Sequence, residues 1–261
     1  MLEVIEKGGT SEAHPVPLLF VHGAWHAAWC WDENFLSYFG DKGYCAVALS
    51  FRGHGESPSD KPLRACSVAD YVDDIRSVAK HLPTPPVIIG HSMGGLIVQK
   101  YLEKYSAPAA VLMSSIPPRG NLGNALRWLR QRPSDFVKMT VTGKALPYIN
   151  PPELARERFF SVHTPEADVR KYAARMQEDS SRIGIDGLVL RLPRPKRVSA
   201  PVLVLGADED GAHSREEVEA TARAYGTQAE FFPNMGHNMM LEPGWQNVAD
   251  RIDSWLGSRG L

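Results

Sequence analysis

Pro86-Val87-Ile88-Ile89-Gly90-His91-Ser92-Met93-Gly94-Gly95-Leu96 is the stretch that decides how this chain is read. Residues 90–94 spell G-x-S-x-G. Gly and Ser are common, so the pattern carries weight only through its surroundings. Val87, Ile88 and Ile89 read as a parallel strand buried on both faces. Leu96, Ile97, Tyr101 and Leu102 recur at helical spacing after the turn. A turn this tight forces Ser92 into a strained backbone conformation, and only Gly on either side lets strand and helix approach so closely. The strain lifts the Ser92 hydroxyl above the sheet, beside a helix N-terminus whose free N–H groups face a developing oxyanion. The plainer alternative is a Gly-rich turn without chemistry, so the partners elsewhere in the chain decide.

Working outward, Pro17-Leu18-Leu19-Phe20-Val21-His22 is an apolar run that ends at Gly23. A helix is expected over Trp29–Phe39, then a strand over Cys45–Ser50 that ends in Arg52-Gly53-His54-Gly55-Glu56-Ser57. Ser67 caps a helix carrying Val68, Tyr71, Val72, Ile75, Val78, Ala79 and Leu82. Pro83, Pro85 and Pro86 stop it before the elbow strand, and Ala109–Met113 is the next strand. Alternation of this kind predicts a parallel sheet with helices on both faces. The rhythm breaks between residues 117 and 197, where helical patches appear around Leu122–Leu129, Pro152–Phe160 and Pro165–Glu178. Thr164 is placed to cap the last of these, with Pro165 at its first position. The pattern returns with Pro201–Gly206, the capping box Ser214-Arg215-Glu216-Glu217, a strand at Glu230-Phe231-Phe232 and a helix from Trp245 to Leu256. The reading is an α/β core of residues 1–116 and 198–261. Residues 117–197 form a helical cap over the edge of the sheet where such folds take ligands.

Net charge is −1 and the pI about 6.8, which points away from nucleic acid and from an anionic membrane surface. Cys30, Cys45 and Cys66 are odd in number and at no metal spacing, which suits a reducing cytosol. The N-terminal residues lack the cationic and apolar regions of a leader, and no apolar run reaches the roughly 18 residues of a membrane span. The expected location is cytoplasmic. Residues 119–197 hold sixteen Lys and Arg against eight Asp and Glu, a net +8, which leaves −9 for the rest of the chain. A basic cap suits an anionic substrate; cap helices that merely expose long charged side chains would give the same count.

A serine hydroxyl needs a base in contact, and the base needs an acceptor on its other nitrogen. In a strand–turn–helix serine site the chain order is Ser, acid, His. Only His213 and His237 lie downstream of the insertion. His213 stands next to the capping Ser214, a poor place from which to reach the serine. His237 lies in the loop between the last strand and the last helix and is the candidate base. Asp208, Glu209 and Asp210 all follow the strand ending at Gly206. Asp210 is the preferred acid, since a short turn carries it into the helix behind Ser214; Asp208, nearer the strand end, is the alternative. The oxyanion donors are the Met93 N–H, after the nucleophile, and the Ala24 N–H, in the loop after the strand at 17–22.

His22-Gly23-Ala24-Trp25, Arg52–Ser57, Gly90–Gly95, Val202–Asp210 and Gly236-His237 together resemble the α/β-hydrolase superfamily, over about residues 17–256. The resemblance implies the α/β-hydrolase fold, a mostly parallel central sheet with helices on both faces and a helical cap insertion. His22–Trp31 looks like the branch of plant-type methyl esterases, hydroxynitrile lyases and related bacterial esterases. In that branch the acid follows its strand by a few residues, which favours Asp210. The lyases carry Thr in the first loop and Lys after the catalytic His, where this chain has Gly23 and Asn238; that argues against cyanohydrin chemistry. Carbon–carbon hydrolases of aromatic degradation often carry Trp after the His, and Asn238 argues against them too. The function implied is hydrolysis of a carboxylic ester through an acyl-Ser92 intermediate, with no metal or cofactor. A thioesterase or lactonase would use the same residues, and a non-catalytic receptor would keep the same fold. Candidate substrate contacts are Trp25, His91, Trp128, Phe136 and Asn238.

Overall fold

The computed structural model describes residues 1–261, apart from the side chain of Val189. Seven strands form one sheet: β1 Val4–Lys7, β2 Leu18–Val21, β3 Ala46–Leu49, β4 Val87–His91, β5 Ala110–Met113, β6 Val202–Ala207 and β7 Ala229–Phe232. Their order is β1-β3-β2-β4-β5-β6-β7. β1 is antiparallel to β3 and every other pairing is parallel. This is the mostly parallel sheet expected from the alternation of apolar runs and helices. β1 lay outside that expectation, because a short half-exposed edge strand lacks the apolar run of a central one.

Successive strand residues face opposite sides of a sheet, and the core divides accordingly. Leu18 and Phe20 enter one buried cluster, Leu19 and Val21 the other. The first cluster is covered by α1 (Trp29–Asp32), α2 (Phe35–Asp41) and α11 (Trp245–Gly257). The second is covered by α3 (Val68–Ala79), α4 (Met93–Leu102) and α10 (Arg215–Ala224). Fully burying a side chain such as Phe20 or Ile89 contributes roughly 1.5–3 kcal/mol. Ser67 and Ser214 cap α3 and α10 in reciprocal boxes with Asp70 and Glu217. The single helix expected over Trp29–Phe39 is broken at Asn34, where φ is −142°. The Asn34 amide instead donates to the Met240 carbonyl at 2.9 Å, tying this corner to the chain ahead of α11.

Between β5 and β6 the chain forms α5 Leu122–Gln131, α6 Pro133–Thr142, α7 Pro152–Phe159, α8 Glu166–Ala173 and α9 Ser181–Ile185. α6 had no counterpart among the expected helices, although Pro133 opens it and a left-handed Gly143 closes it. α8 ends at Ala173, well short of Glu178. Thr164 does not cap it, because its hydroxyl donates to the buried Glu242 carboxylate at 2.9 Å. The strand order reverses between β2 and β4, and the crevice at their carboxyl ends is where a sheet of this type takes a ligand.

The close approach at that crevice is set by Gly94. A Cβ there would lie 2.3 Å from the His22 carbonyl oxygen and 2.6 Å from that of Val21, so α4 starts in contact with the β2 backbone. Gly94→Ala is therefore expected to destabilise the fold by about 3 kcal/mol or more, since backbone must move. Gly184→Ala, in α9 with open space around it, should be neutral or stabilising by up to about 1 kcal/mol. Urea unfolding of the two variants checks this; equal effects would contradict it.

Candidate active site

Ser92 occupies the turn from β4 to α4 with φ +53° and ψ −118°. A residue with a Cβ pays strain to hold a positive φ, so the surroundings must over-determine it. The Ser92 N–H donates to the Met113 carbonyl at 3.0 Å, and its carbonyl accepts from the Ile116 N–H at 3.1 Å and the Leu96 N–H at 3.3 Å. Gly90 gives α4 its place: a Cβ there would lie 2.7 Å from Val98 Cγ2 and 2.9 Å from Gly95 Cα. Gly23 gives the facing loop its place, since a Cβ there would lie 3.0 Å from Ser92 Cβ. Among the described residues no hydrogen bond joins the Ser92 hydroxyl to His237; nucleophile–base contacts commonly tighten only when a ligand binds.

His237 follows β7 and is buried. Its Nδ1 donates to both Asp210 oxygens, each at 2.9 Å. That fixes the tautomer and leaves Nε2 with its lone pair. The Asp210 carboxylate also accepts from the Ala212 N–H at 2.7 Å and the His213 N–H at 2.9 Å. Burial alone would raise the Asp210 carboxyl; the His237 ring and these N–H donors more than offset it and hold it far below the usual range. Asp208 lies elsewhere, paired at the surface with Arg215 at 2.7 Å. His213 lies closer to His237 than its place beside Ser214 suggests. Its ring centroid is 5.3 Å from that of His237, and its Nδ1 donates to the Ser114 carbonyl at 2.9 Å.

The loop after β2 is held by two neutral histidines. His22 Nδ1 donates to the Gly23 carbonyl at 2.8 Å while its Nε2 accepts from the Phe51 N–H at 3.1 Å. His26 Nδ1 donates to the Ala24 carbonyl at 2.7 Å and its Nε2 faces the Asn238 amide at 3.3 Å. Burial pushes His22 down to about 3 and His26 down to about 4, so both stay uncharged near neutral pH. Among the described residues, the N–H groups of Ala24 and Met93 donate to no protein acceptor.

The expected substrate contacts fall in three places. Trp25 lies by the site, its ring 5.7 Å from Phe159, which is in turn 5.9 Å from His237. His91 and Asn238 lie behind it: both are buried, and His91 Nε2 donates to the His237 carbonyl at 2.9 Å. His91 ends β4, and strand alternation turns it away from the Ser92 side. Trp128 lines a cleft with Arg158 and Gly211, which places it by the turn after Asp210, and Phe136 packs edge-on against it at 6.2 Å. Sequence reasoning missed Glu242, a fully buried carboxylate that accepts from the Ser161 N–H at 2.7 Å, the Ser161 hydroxyl at 2.6 Å and the Thr164 hydroxyl. It follows His237 by five residues, and an acid directly after the apolar run Met239-Met240-Leu241 was the signal available. As for metals, ligating atoms of Asp210, His213 and His237 lie within 4.8 Å of one another, but the hydrogen bonds above already engage the Nδ1 atoms of both rings and the carboxylate between them.

A family profile described as the alpha/beta hydrolase family matches residues 18–251, and the chain belongs to that family. It is similar to the monoacylglycerol lipase of Mycolicibacterium smegmatis, with 28% identity over 234 residues, 84% of this chain and 80% of that one. A shorter match, 33% identical over 33% of this chain and 31% of the other, is to Methylesterase 18 of Arabidopsis thaliana. Among solved structures it superimposes on an esterase from Exiguobacterium antarcticum with a TM-score of 0.75, 19% identity and coverage of 98% and 95% of the two chains.

The neutral histidines give the fold an acid limit. Their folded values lie below the ordinary 6.5, so below pH 6.5 the unfolded chain takes up protons that the folded chain refuses. Stability therefore falls as pH drops from 6.5 towards 4, by about 1 kcal/mol per pH unit for each of His22 and His26. His54 has a raised value and opposes this in part: its contribution is present at low pH and is lost as pH rises through its folded value. Thermal melts between pH 7 and 4.5 should show a falling midpoint, with a shallower slope in His26→Gln. A flat or rising midpoint would contradict the assignment.

Proposed function

We propose that this chain is a serine hydrolase that cleaves a carboxylic ester through an acyl-Ser92 intermediate. The observation that carries the reading is the two-oxygen contact of buried Asp210 with His237 Nδ1, on the same sheet edge as a serine held at positive φ. In this reading His237 Nε2 takes the Ser92 proton as the hydroxyl oxygen attacks the ester carbonyl carbon. The Ala24 and Met93 N–H groups receive the carbonyl oxygen as it becomes negative. His237 then gives its proton to the leaving alkoxide oxygen. A water, deprotonated by the same nitrogen, attacks the acyl carbon and frees the acid and Ser92. Asp210 orients the ring and offsets its charge while it is protonated.

Residues 117–197 act as a cap in this proposal. Contacts at three places support it: the Asn238 N–H donates to the Phe159 carbonyl at 2.9 Å, Glu242 grips Ser161 and Thr164, and Gln177 and Asp179 reach the loop after β2. Trp25 and Phe159, beside His237, suit an apolar acyl or alcohol group. The lipase and esterase names among the similar proteins support an ester as the bond cleaved; thioesters and lactones need no other residues. The excess of cap cations is partly met by acids of the core. Arg127 pairs with Glu217 at 2.6 Å, and Lys171 and Arg175 pair with Glu33. Three of the sixteen cap cations thus join cap to core, and the rest of the excess leaves an anionic substrate open.

Turnover of a panel of nitrophenyl esters, thioesters and lactones tests the reading. Ser92→Ala should abolish hydrolysis. Asp210→Asn should lose about 100-fold or more in kcat, because it favours the wrong His237 tautomer. Asp208→Asn, at a surface ion pair, should stay within about twofold. Turnover that survives Ser92→Ala would sink the mechanism, and no turnover on any substrate would favour the receptor.

A further inference from the structure

Between α8 and α9 the chain leaves the helix and turns back onto the loop after β2. The Gln177 N–H donates to the Trp25 carbonyl at 3.0 Å, and the Trp25 N–H donates to Asp179 Oδ2 at 3.0 Å. The Gln177 side chain also bridges the neighbouring loop, accepting from the Gly55 N–H at 2.9 Å and donating to the Gly53 carbonyl at 3.1 Å. Asp179 Oδ1 accepts from the Ser180 N–H at 2.6 Å and lies 3.5 Å from His54 Nε2. The Asp179 side chain is 8% exposed and that of His54 fully buried.

Trp25 needs such a partner. Its φ is +63°, a region that an L residue with a large side chain rarely holds unaided. Both of its backbone groups are pinned by the 177–179 segment. The peptide before it is fixed at both ends, its carbonyl by His26 and its N–H by Asp179. The peptide before that is fixed at its carbonyl by His22, and its N–H is that of Ala24. The Ala24 N–H is thus the donor left free in a stretch whose flanking groups are all held.

We propose that Asp179 is a positioning residue for the oxyanion site: it holds Trp25 at positive φ and so aims the Ala24 N–H at the reacting carbonyl. The inference rests on the serine-hydrolase reading above. It makes the segment between β5 and β6 part of the catalytic geometry rather than only a cover. A buried carboxylate is costly unless opposed and fully hydrogen-bonded. Here burial works against charge on His54, but the Asp179 carboxylate overcomes it and raises the imidazole above its ordinary value, so each favours the charged form of the other. An amide could accept from Trp25 but could not hold that pair.

The test is a comparison of Asp179→Ala and Asp179→Asn with the unmodified chain. Losing an oxyanion donor removes roughly 10²–10³ in rate, and a displacement of about 1 Å up to 10², so Asp179→Ala should lower kcat about 10- to 100-fold with KM within about threefold. Affinity for a trifluoromethyl ketone, which adds to a serine and builds the same oxyanion, should fall by the same factor. Hydrogen exchange of residues 22–27 should rise. Asp179→Asn should keep part of kcat, and it carries the test if the alanine variant fails to fold. A kcat within twofold, a loss confined to KM, or unchanged ketone affinity would overturn the proposal. Unchanged exchange at residues 22–27 would overturn the clamp whether or not an ester is turned over. An unmodified chain that turns over no ester would refute the hydrolase reading and the oxyanion role with it, while the exchange result would still judge the clamp.

Discussion

A carboxylate taken out of water must be met by donors or it loses its charge, and this structure meets that demand at Asp210. His237 Nδ1 and the N–H groups of Ala212 and His213 all donate to it. The arrangement dictates much of what surrounds it. The His237 ring has one tautomer, its Nε2 keeps a lone pair, and the turn after β6 must bring residues 210–213 back over the loop after β7. The histidine loop is braced from behind by His91, which donates to the His237 carbonyl from the last position of the strand that presents Ser92. Ser92, Asp210 and His237 are thereby tied together at the carboxyl ends of β4, β6 and β7.

The same solution recurs where the helical segment between β5 and β6 meets the sheet. Glu242 and Asp179 are buried acids, each opposed by several donors, and each links that segment to a loop of the site. Glu33 gathers Lys171 and Arg175 at the rim. Contacts of this kind are weak evidence for net stability, since desolvation offsets much of their attraction. Fixed hydrogen-bond partners set where Trp25, Phe159 and His237 stand relative to one another.

What could be read from the sequence was what is local. Val87–Ile89 before a tight Gly-x-Ser-x-Gly turn and the capping boxes at Ser67 and Ser214 are short-range patterns, and the motif at Ser92 carries with it an expected chain order of serine, acid and histidine. They located the sheet, the placement of Asp210 against His237 and the turn at Ser92. The Trp25–Asp179 contact joins residues 154 positions apart, and no periodicity announces it. Thr164 carried a sound helix-capping signal, but a buried Glu242 needing donors outcompeted the helix for its hydroxyl. His91 is next to Ser92 in the chain and was expected to meet substrate; the period of two along a strand turned it into the core instead.

The central claim is covalent: Ser92 carries the acyl group during turnover. Rapid quenching of a nitrophenyl ester reaction, followed by mass analysis of the peptide containing Ser92, measures this directly. The account predicts a transient mass increase equal to the acyl group less one hydrogen on that peptide, which forms with the first burst of nitrophenol and decays at the steady-state rate. Turnover with no adduct on that peptide, or with the adduct on another residue, would contradict it.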